Sequence, residues 1–449
     1  MRPTGIGLLL ALHAPDGLFS MPVNGVFAVA VLLVTGGAAA ALRRRSDPRL
    51  VPLMGIMAAF VFAAQMVNFP VASGTTGHLV GGTLAAILLG PWAGLLVMTV
   101  VVFFQALLGD GGVTVLGPNI FNMGVVGTCF GYFIYRGAVG RARAQPARVV
   151  AAGCFAAWAA VVLASVFASL QLVVSGAVRL DRALPAMVAV HMLIGVGEGL
   201  ITACVAAFVL RTRPDLVYGH ATREARLLGR PAIALGLAAA LVIAVFLSLL
   251  PTLWDYPDGL ESVGVEQGFL REQPAYDEHG GLATLPAYPL GVRLQMVHAK
   301  VIAVHRYERR STGVQKADII EAIQGVPVHD LTTAAAALQY DASIGGFDVP
   351  AGTPLHVVVQ RAGRSEELLV RAAATPQAGA RPPLMALLPD YTIPGIHGLL
   401  STSLAGALGT LVMFIASLGV GRALLRPGRL ARVVQDAEEP AACMKNRSS

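Results

Sequence analysis

Residues 79–108 read LVGGTLAAILLGPWAGLLVMTVVVFFQALL, an apolar stretch without a single Asp, Glu, Lys or Arg. About 20 apolar residues are enough to cross a hydrocarbon core of about 30 Å as a helix. Because proline lacks an amide donor and clashes with the preceding turn, Gly90-Pro91 predicts two antiparallel helical pieces, the first of them short. Interrupted helices at membrane depth tend to line a polar site, since irregular backbone is tolerated only where protein or water satisfies it.

The whole chain has the composition of a membrane protein. Of its 449 residues, 55% are hydrophobic and 13% are charged, and the mean hydropathy is +0.67. Soluble domains carry about 25% charged residues, so a purely soluble enzyme is excluded. We predict an all-α polytopic membrane protein with a small α+β extracytoplasmic insertion. The apolar runs that predict nine crossings are 22–42, 51–69, 79–89, 91–108, 119–135, 149–175, 185–210, 232–250 and 397–421.

Arginine clusters predict the orientation of these helices. The formal net charge of +7 comes from 33 Lys+Arg against 26 Asp+Glu. Loops rich in Lys and Arg stay on the cytoplasmic side, which places the N-terminus outside and the C-terminus in the cytoplasm. We therefore interpret the charge as a topology signal and expect no nucleic-acid partner. The clusters lie at 43–49, 136–148, 211–230 and 422–432.

Residues 251–396 differ from the rest of the chain, because prolines, charges and strand patterns concentrate there. We predict a soluble insertion on the outer face, with a helix near 331–340. Its predicted strands are Tyr288–Leu294, Ala299–Val304, Asp318–Val328 and Leu355–Gln360.

Residues 1–11 have two interpretations. Arg2 followed by the short apolar segment Gly5–Leu12 predicts either a signal peptide or a misassigned translation start. Both place the mature N-terminus at or near Leu12, which makes His13 the second residue of the mature chain.

A histidine at the second position is a strong metal-binding feature. An N-terminal amine, the amide nitrogen of the second residue and its imidazole can chelate one ion through fused rings, a set suited to Ni(II) or Cu(II). A second imidazole could complete the set, and His78, within Ser73–Gly82, is the candidate. The glycines of this segment allow close approach of the backbone, and its hydroxyl groups could orient the ring. The alternative is that both histidines are structural hydrogen-bonding residues.

Four further polar residues lie in apolar runs. His191 and Glu198 are seven residues apart on one helix, while Asn119 and Asn122 follow Pro118 at the start of another. Ionisable groups inside a membrane indicate function by default. Interhelical hydrogen bonds that fix packing are the alternative, and both interpretations stay open for these residues.

Four stretches carry a family resemblance: His13–Gly17, Gly74–Leu79, Gly117–Met123 and His191–Gly199. Through them, residues 12–230 resemble the substrate-binding M component (the CbiM/NikM family) of energy-coupling-factor transporters for cobalt and nickel. The resemblance implies a seven-helix domain in the bacterial inner membrane. It also implies a Co²⁺ or Ni²⁺ site formed by the N-terminal amine of Leu12, the backbone nitrogen and imidazole of His13, and the imidazole of His78. The metal is then cargo, and no prosthetic group is expected.

The start of the chain departs from the family pattern. Residues 1–11 precede Leu12 and would hold its amine away from the site. Chelation therefore requires that they be absent or removed. A start at codon 12 would give Met-His, and cleavage after Ala11 would give Leu-His.

Residues 231–265 and 389–425 resemble the PDGLE domain, the two-helix component that accompanies such transporters, and residues 426–449 are predicted to be a cytoplasmic tail. The matching motifs are Tyr256–Glu261, Asp390–Gly395 and Leu400–Gly406.

Between these two parts, residues 284–374 resemble a PDZ domain, on the stretches Leu290–Leu294 and Ala317–Val328. That resemblance implies either peptide binding by strand addition beside Leu290-Gly291, or a spacer that retains only the fold.

The sequence lacks the motifs that define two enzyme classes. None of its lysines stands in a GK[ST] phosphate loop, so we predict a transport component that is not an enzyme. The resemblance implies separate partners in the lipid bilayer and at its surface: a transmembrane coupling subunit (T component) and cytoplasmic ATPase subunits. No HExxH motif occurs, which excludes an intramembrane metalloprotease of that type. The remaining alternative is a membrane-anchored PDZ scaffold or sensor without transport activity.

Overall fold

The structure is a computed structural model, and its described residues form two compact units. The α+β unit lies within residues 260–382, and the helical unit lies within residues 11–259 and 383–449. The described residues are 13–44, 47, 49–66, 68–72, 75–140, 145–219, 229–248, 260, 263–264, 275–276, 282–297, 299–306, 312–341, 346–373, 393 and 399–424.

The helical unit consists mainly of apolar helices. A π-helical segment, Ile120–Phe130, joins α5 to α6, and a two-stranded hairpin of β1 (Asn68–Ala72) and β2 (Thr75–His78) stands between α2 and α3. Of the later helices, α10 (Leu331–Ala337) belongs to the α+β unit and α11 (Leu399–Leu424) to the helical unit. The others are α1 (Met21–Arg43), α2 (Leu50–Gln65), α3 (Gly82–Leu89), α4 (Pro91–Leu108), α5 (Leu116–Asn119), α6 (Gly131–Val139), α7 (Pro146–Val174), α8 (Leu180–Thr212) and α9 (Arg230–Ser248).

Five helices of the described chain are long and apolar enough to cross a membrane, and the protein is therefore an integral membrane protein. Two further apolar helices, Leu50–Gln65 and Pro231–Phe246, are shorter. The predicted total of nine crossings stays a prediction. The five long helices are Met21–Arg43, Pro91–Leu108, Pro146–Val174, Leu180–Thr212 and Ser401–Leu424.

The predicted break at Gly90-Pro91 is present. Gly90 ends α3 and precedes α4 with a φ of 84°, a region that residues with a Cβ rarely adopt. A Cβ at this position would lie 2.9 Å from the ring of Tyr218. Tyr218 also donates its backbone N–H to the carbonyl of Ile87 at 2.9 Å. The loop after α8 therefore packs on the turn between α3 and α4.

The hairpin was not predicted. The apolar run 51–69 predicts one helix, but α2 ends at Gln65 and Asn68 pairs with His78 across the hairpin. Likewise, α3 begins at Gly82, three residues later than the run 79–89 predicts. Both predictions were wrong at these ends because hydropathy alone cannot separate a strand from a helix in a short apolar segment. His78 consequently ends a strand just before α3.

Helix α2 packs against both α9 and α11. Glycines allow the close approach: Gly236 of α9 faces Ile56, and Gly55 of α2 faces Phe414 and Leu418 of α11. Small residues at such interfaces increase van der Waals contact, which drives helix association where lipid supplies no hydrophobic force. Two helices far apart in sequence therefore enclose α2.

The α+β unit contains one large antiparallel sheet in the order β12-β11-β7-β6-β5-β4-β3, with β8 paired to β7 and a separate β9–β10 pair. Its core is formed by residues such as Leu285, Leu294 and Val357, which are fully buried together with Leu331 of α10. The strands are β3 (Ala275–Tyr276), β4 (Leu282–Ala287), β5 (Val292–Val297), β6 (Lys300–Arg306), β7 (Ile319–Ile323), β8 (Val326–Pro327), β9 (Tyr340–Asp341), β10 (Gly346–Phe347), β11 (Pro354–Arg361) and β12 (Arg364–Arg371).

The predicted strands of this unit are broadly reproduced, with two corrections. Tyr288–Leu290 is a 3-10 turn that leads into β5, because Gly291 donates its N–H to the Tyr288 carbonyl. The strands that were not predicted are β3, β4, β9, β10 and β12. The charged sequence of β12 hides its pattern, since only Val370 on this edge strand is fully buried.

Asp330 generates a prediction about this unit. Its carboxylate caps α10 by accepting the Thr333 N–H at 2.7 Å, and this hydrogen bond lowers the pKa of Asp330 below its ordinary value of 3.8. Because the folded-state pKa is the lower one, the stabilisation is complete at neutral pH and is lost as the pH falls through that pKa. We expect Asp330→Ala to destabilise α10 by about 1 kcal/mol at pH 7. Faster amide hydrogen exchange in α10 of the purified full chain measures this effect.

The exposed Asp348, which caps no helix, supplies the control. Exchange in α10 should be unchanged in Asp348→Ala, and equal exchange in Asp330→Ala and wild type would contradict the predicted contribution of the cap.

Candidate metal site

The N-terminal segment of the described chain is fastened to the bundle by a side-chain amide. Asn119 accepts the N–H of Ala14 and donates to its carbonyl, both at 3.1 Å, so that one amide satisfies both backbone groups. The same carbonyl accepts the Gly112 N–H at 3.0 Å. Asp16 extends the attachment by accepting the N–H of Thr114 at 2.7 Å. Unsatisfied backbone groups are costly inside a membrane protein, so these contacts fix the path of the segment.

His13 is held within this segment and is only 3% exposed. Its Nδ1 lies 3.0 Å from Oδ1 of Asp110, which follows α4. A carboxylate accepts, so this contact assigns the proton to Nδ1. The other ring nitrogen, Nε2, is buried without a hydrogen-bond partner in the described part of the chain. Gly111 permits the approach, because a Cβ there would lie 2.7 Å from the Cβ of His13.

The structure brings the two predicted histidines together. The ring centroids of His13 and His78 are 6.0 Å apart, with the planes tilted by 44°. Nδ1 of His78 lies 3.0 Å from the carbonyl of Leu79, so a backbone oxygen helps to orient this ring. A carbonyl accepts, which assigns the proton to Nδ1 and leaves the lone pair of the neutral ring on Nε2. Such contacts commonly orient ligand imidazoles.

The backbone after His78 is held from two helices. The buried carboxylate of Glu198 in α8 accepts the N–H of Val80 at 2.6 Å and that of Gly81 at 2.8 Å. The buried amide of Gln65 in α2 donates to the Val80 carbonyl at 2.8 Å. We call these two residues the Val80 clamp. The sequence singled out Glu198 without giving it a role, and it did not single out Gln65.

The other polar residues of the apolar runs make packing contacts. Asn122 in the π-helical segment and Gln171 in α7 exchange hydrogen bonds of 2.8 and 3.1 Å. Nδ1 of His191 lies 2.8 Å from the carbonyl of Met187, one turn earlier in α8. The packing interpretation therefore accounts for Asn122, the bond of His191 stays within its own helix, and Asn119 and Glu198 hold the backbone around the two histidines.

Leu12, the third predicted metal-site residue, lies outside the described residues. Among those described, no three His, Cys, Asp or Glu side chains lie close enough to hold a metal ion. The sequence predicts main-chain nitrogen at the chain start as the further donor beside His13 and His78. The sequence did not predict the contact between His13 and Asp110, because hydropathy gives no reason to connect the end of α4 to residue 13.

The second predicted site, beside Leu290-Gly291 in the α+β unit, is arranged differently. Strand addition needs an open strand edge. Strand β5, which follows this turn, pairs with β4 on one edge and with β6 on the other. In the described structure, β4 occupies the edge that an added peptide would use, and α10 packs against both β4 and β5.

Comparison with known proteins identifies the membrane part of the chain. Residues 13–216 match the family model CbiM, described as the cobalt uptake substrate-specific transmembrane region. A relative from Archaeoglobus fulgidus with the provisional name fused nickel transport protein NikMN is 38% identical over 282 residues, which cover 62% of this chain and 88% of the relative. The chain belongs to the CbiM family. A second model, the PDGLE domain, matches residues 351–426, and the chain is therefore a fusion of these two components.

Other relatives carry the names of cobalt and transition-metal transporters. The cobalt transport protein CbiM of Geobacter sulfurreducens is 31% identical over 252 residues, covering 53% of this chain and 69% of that protein. A crystal structure of a truncated transition metal transporter is 32% identical and has a TM-score of 0.41, covering 44% of this chain and 98% of the other. Transport of metal ions is thus the activity named among the members of the CbiM family.

The Asn119 contact generates a prediction for the CbiM region. We expect Asn119→Ala to loosen Ala14 and to raise the amide hydrogen exchange of residues 13–19, because the Ala14 N–H loses its acceptor and the Ala14 carbonyl keeps only the Gly112 N–H. Exchange mass spectrometry of the metal-free protein measures this. Asn122→Ala is the matched control, since Asn122 bonds to Gln171 instead. An exchange increase of equal size in both variants would mean that Asn119 does not specifically hold the segment.

Proposed function

We propose that this protein is the substrate-binding membrane component of an energy-coupling-factor transporter that imports Co²⁺ or Ni²⁺. The observation that supports it best is the pair of histidines: the ring centroids of His13 and His78 are 6.0 Å apart, and His13 is almost fully buried. The ion is cargo that is chelated and released unchanged.

The proposed ligands are the mature N-terminal amine at Leu12, the backbone nitrogen and imidazole of His13, and the imidazole of His78. A fused chelate at the second residue must use Nδ1 of that imidazole, because the ring closes through the amide nitrogen, Cα, Cβ and Cγ. In the structure this nitrogen is hydrogen-bonded to the carboxylate of Asp110. Metal loading therefore exchanges Asp110 for the ion at Nδ1, and Asp110 holds the ring in place until the ion arrives. Nitrogen donors accept both Co²⁺ and Ni²⁺, so these residues do not separate the two metals.

The remaining parts of the system follow from this proposal. We propose nine crossings in the bacterial inner membrane, with the N-terminus outside and the arginine-rich loops and C-terminus in the cytoplasm. Energy comes from ATPase subunits that act through a transmembrane T component, since the sequence has no phosphate-binding loop. The PDGLE part serves the loading or opening of the site. We propose that no prosthetic group takes part.

The alternative of a PDZ scaffold or sensor is less well supported. The α+β unit keeps the PDZ-like interpretation as a proposal, with residues 284–374 as its extent. Because β4 and β6 occupy both edges of β5, a peptide would have to displace β4 before it could add a strand. A spacer role needs no such displacement, so we propose that role for the unit.

His78→Ala tests the site. We expect purified mature protein, with its N-terminus at residue 12 verified by mass spectrometry, to bind about one equivalent of metal after equilibration with equal Co²⁺ and Ni²⁺. Elemental mass spectrometry should show loss of that metal in His78→Ala and His13→Ala, and cellular uptake should fall with it. The metal retained by wild type also identifies the preferred ion.

His356→Ala controls for surface binding, because His356 is exposed in the α+β unit and contacts Glu367 there. Undiminished uptake in His78→Ala would refute the proposed site. Wild-type protein that binds no metal despite the correct N-terminus would refute the transport function itself.

A further inference from the structure

Buried side chains hydrogen-bond both backbone polar groups of Val80, two residues after His78. Glu198 accepts the N–H groups of Val80 and Gly81, and Gln65 donates to the carbonyl of Val80. Gln65 and Glu198 are both at most 1% exposed. Two polar side chains from different helices therefore determine where this peptide lies, and with it the strand end that carries His78.

Gln65, one of the two residues of the Val80 clamp, lies at the end of a helix that packs against α11 of the PDGLE part. Gln65 is the last residue of α2, and α11 packs along α2. At Gly406 of α11, an added Cβ would lie 3.0 Å from Cε of Met66, the residue after Gln65. At Gly409, an added Cβ would collide with the ring of Phe62, one turn before Met66. Phe62 is fully buried and cannot swing into open space.

These contacts form a short chain of direct packing. Gly409 and Gly406 of α11 contact Phe62 and Met66 of the α2 end. Gln65, which precedes Met66, donates a hydrogen bond to the carbonyl of Val80, two residues after His78. A displacement of α11 along α2 therefore moves the C-terminal turn of α2 and the amide that holds the carbonyl of Val80. Packed elements transmit such shifts because interiors are nearly close-packed.

We propose that Gln65 is a positioning residue for the His78 ligand and that α11 of the PDGLE part sets its position through Phe62 and Met66. This inference rests on the proposed metal-binding function. The PDGLE helix then determines whether the His78 ring stands where it can complete the nitrogen set begun at His13. Glu198, in α8, holds the same peptide independently of α11.

The chemistry of Gln65 favours this role over packing. A buried amide inside a membrane bundle is costly, and its Oε1 has no hydrogen-bond partner in the described chain. An apolar residue of similar size would pack α2 as well without that cost. An apolar residue cannot donate a hydrogen bond to the Val80 carbonyl, and this hydrogen bond is the contact that positions His78.

Gly409→Ala tests the coupling without touching the site. We expect the added methyl to push Phe62 and α2 aside and to weaken Ni²⁺ binding about tenfold, a loss typical of altered ligand support. Calorimetric titration of the mature full chain in detergent with Ni²⁺ alone measures the affinity. Gly419→Ala is the matched control on the same helix, since nothing lies within 4 Å of its added Cβ. The control should bind as wild type does.

A second substitution shows whether the effect passes through Phe62. Phe62→Leu shortens the ring that the new methyl meets, so Gly409→Ala combined with Phe62→Leu should recover most of the lost affinity, whereas Phe62→Leu alone should stay near wild type. Recovery in the double variant would show that the effect of Gly409→Ala passes through its contact with Phe62. Wild-type affinity in Gly409→Ala, or a double variant weaker than either single one, would overturn the coupling.

Gln65→Ala keeps the inference testable if Gly409→Ala does not fold. We expect about a tenfold weaker Ni²⁺ affinity and a shifted absorption spectrum of bound Co²⁺, because the His78 ligand loses its support. Wild-type affinity and spectrum in Gln65→Ala would overturn the positioning role. If wild type itself binds no Ni²⁺, it is the proposed metal-binding function that fails, and the two failures are thereby distinguished.

Discussion

The requirement that buried polar groups find partners inside the protein governs the CbiM region. In a membrane no water is available for irregular backbone, so segments without helical hydrogen bonds survive only where side chains replace them. This chain has two such segments at its candidate site, the stretch after His13 and the stretch after His78. Asn119 satisfies the first, and Gln65 and Glu198 satisfy the second. Three polar side chains in an apolar bundle thus allow two histidines to stand outside regular helices and face each other.

The same requirement explains why the bundle is closed by the PDGLE helix. Glycines of α11 receive the aromatic and thioether side chains of α2, and Gly236 of α9 receives Ile56 from the other direction. The helix that bears Gln65 therefore packs against α11 of the PDGLE part and against α9. Joining the two components in a single chain raises their effective concentration without any new contact. The α+β unit lies between α9 and α11 in sequence, where an insertion of moderate size costs little loop entropy.

Much of this arrangement could be predicted from the sequence. The lengths of the apolar runs and the placement of arginines indicate a membrane protein, and Gly90-Pro91 indicates the break between α3 and α4. The sequence alone also pairs His13 with His78. The β1–β2 hairpin could not be predicted, because its residues are apolar enough to extend a helix. Asp110 and Gln65 could not be connected to the histidines either, since each acts through one long-range hydrogen bond that leaves no periodic pattern. Asn122 and Glu198 look alike as buried polar residues in sequence, yet only Glu198 supports the site.

Two sets of contacts hold the start of the described chain in place. Ala14 is fixed by Asn119 through both of its backbone groups, and the His13 ring is fixed by Asp110. Consecutive Cα atoms are about 3.8 Å apart, so the nitrogen of residue 12 cannot move far from the imidazole. In the proposed site the nitrogen of residue 12 serves as a free amine with a lone pair of its own, whereas with residues 1–11 attached it would be a second amide that must lose its proton before it can bind the ion. The proposed chelate therefore combines a free amine at residue 12 with a histidine whose position the described contacts already fix.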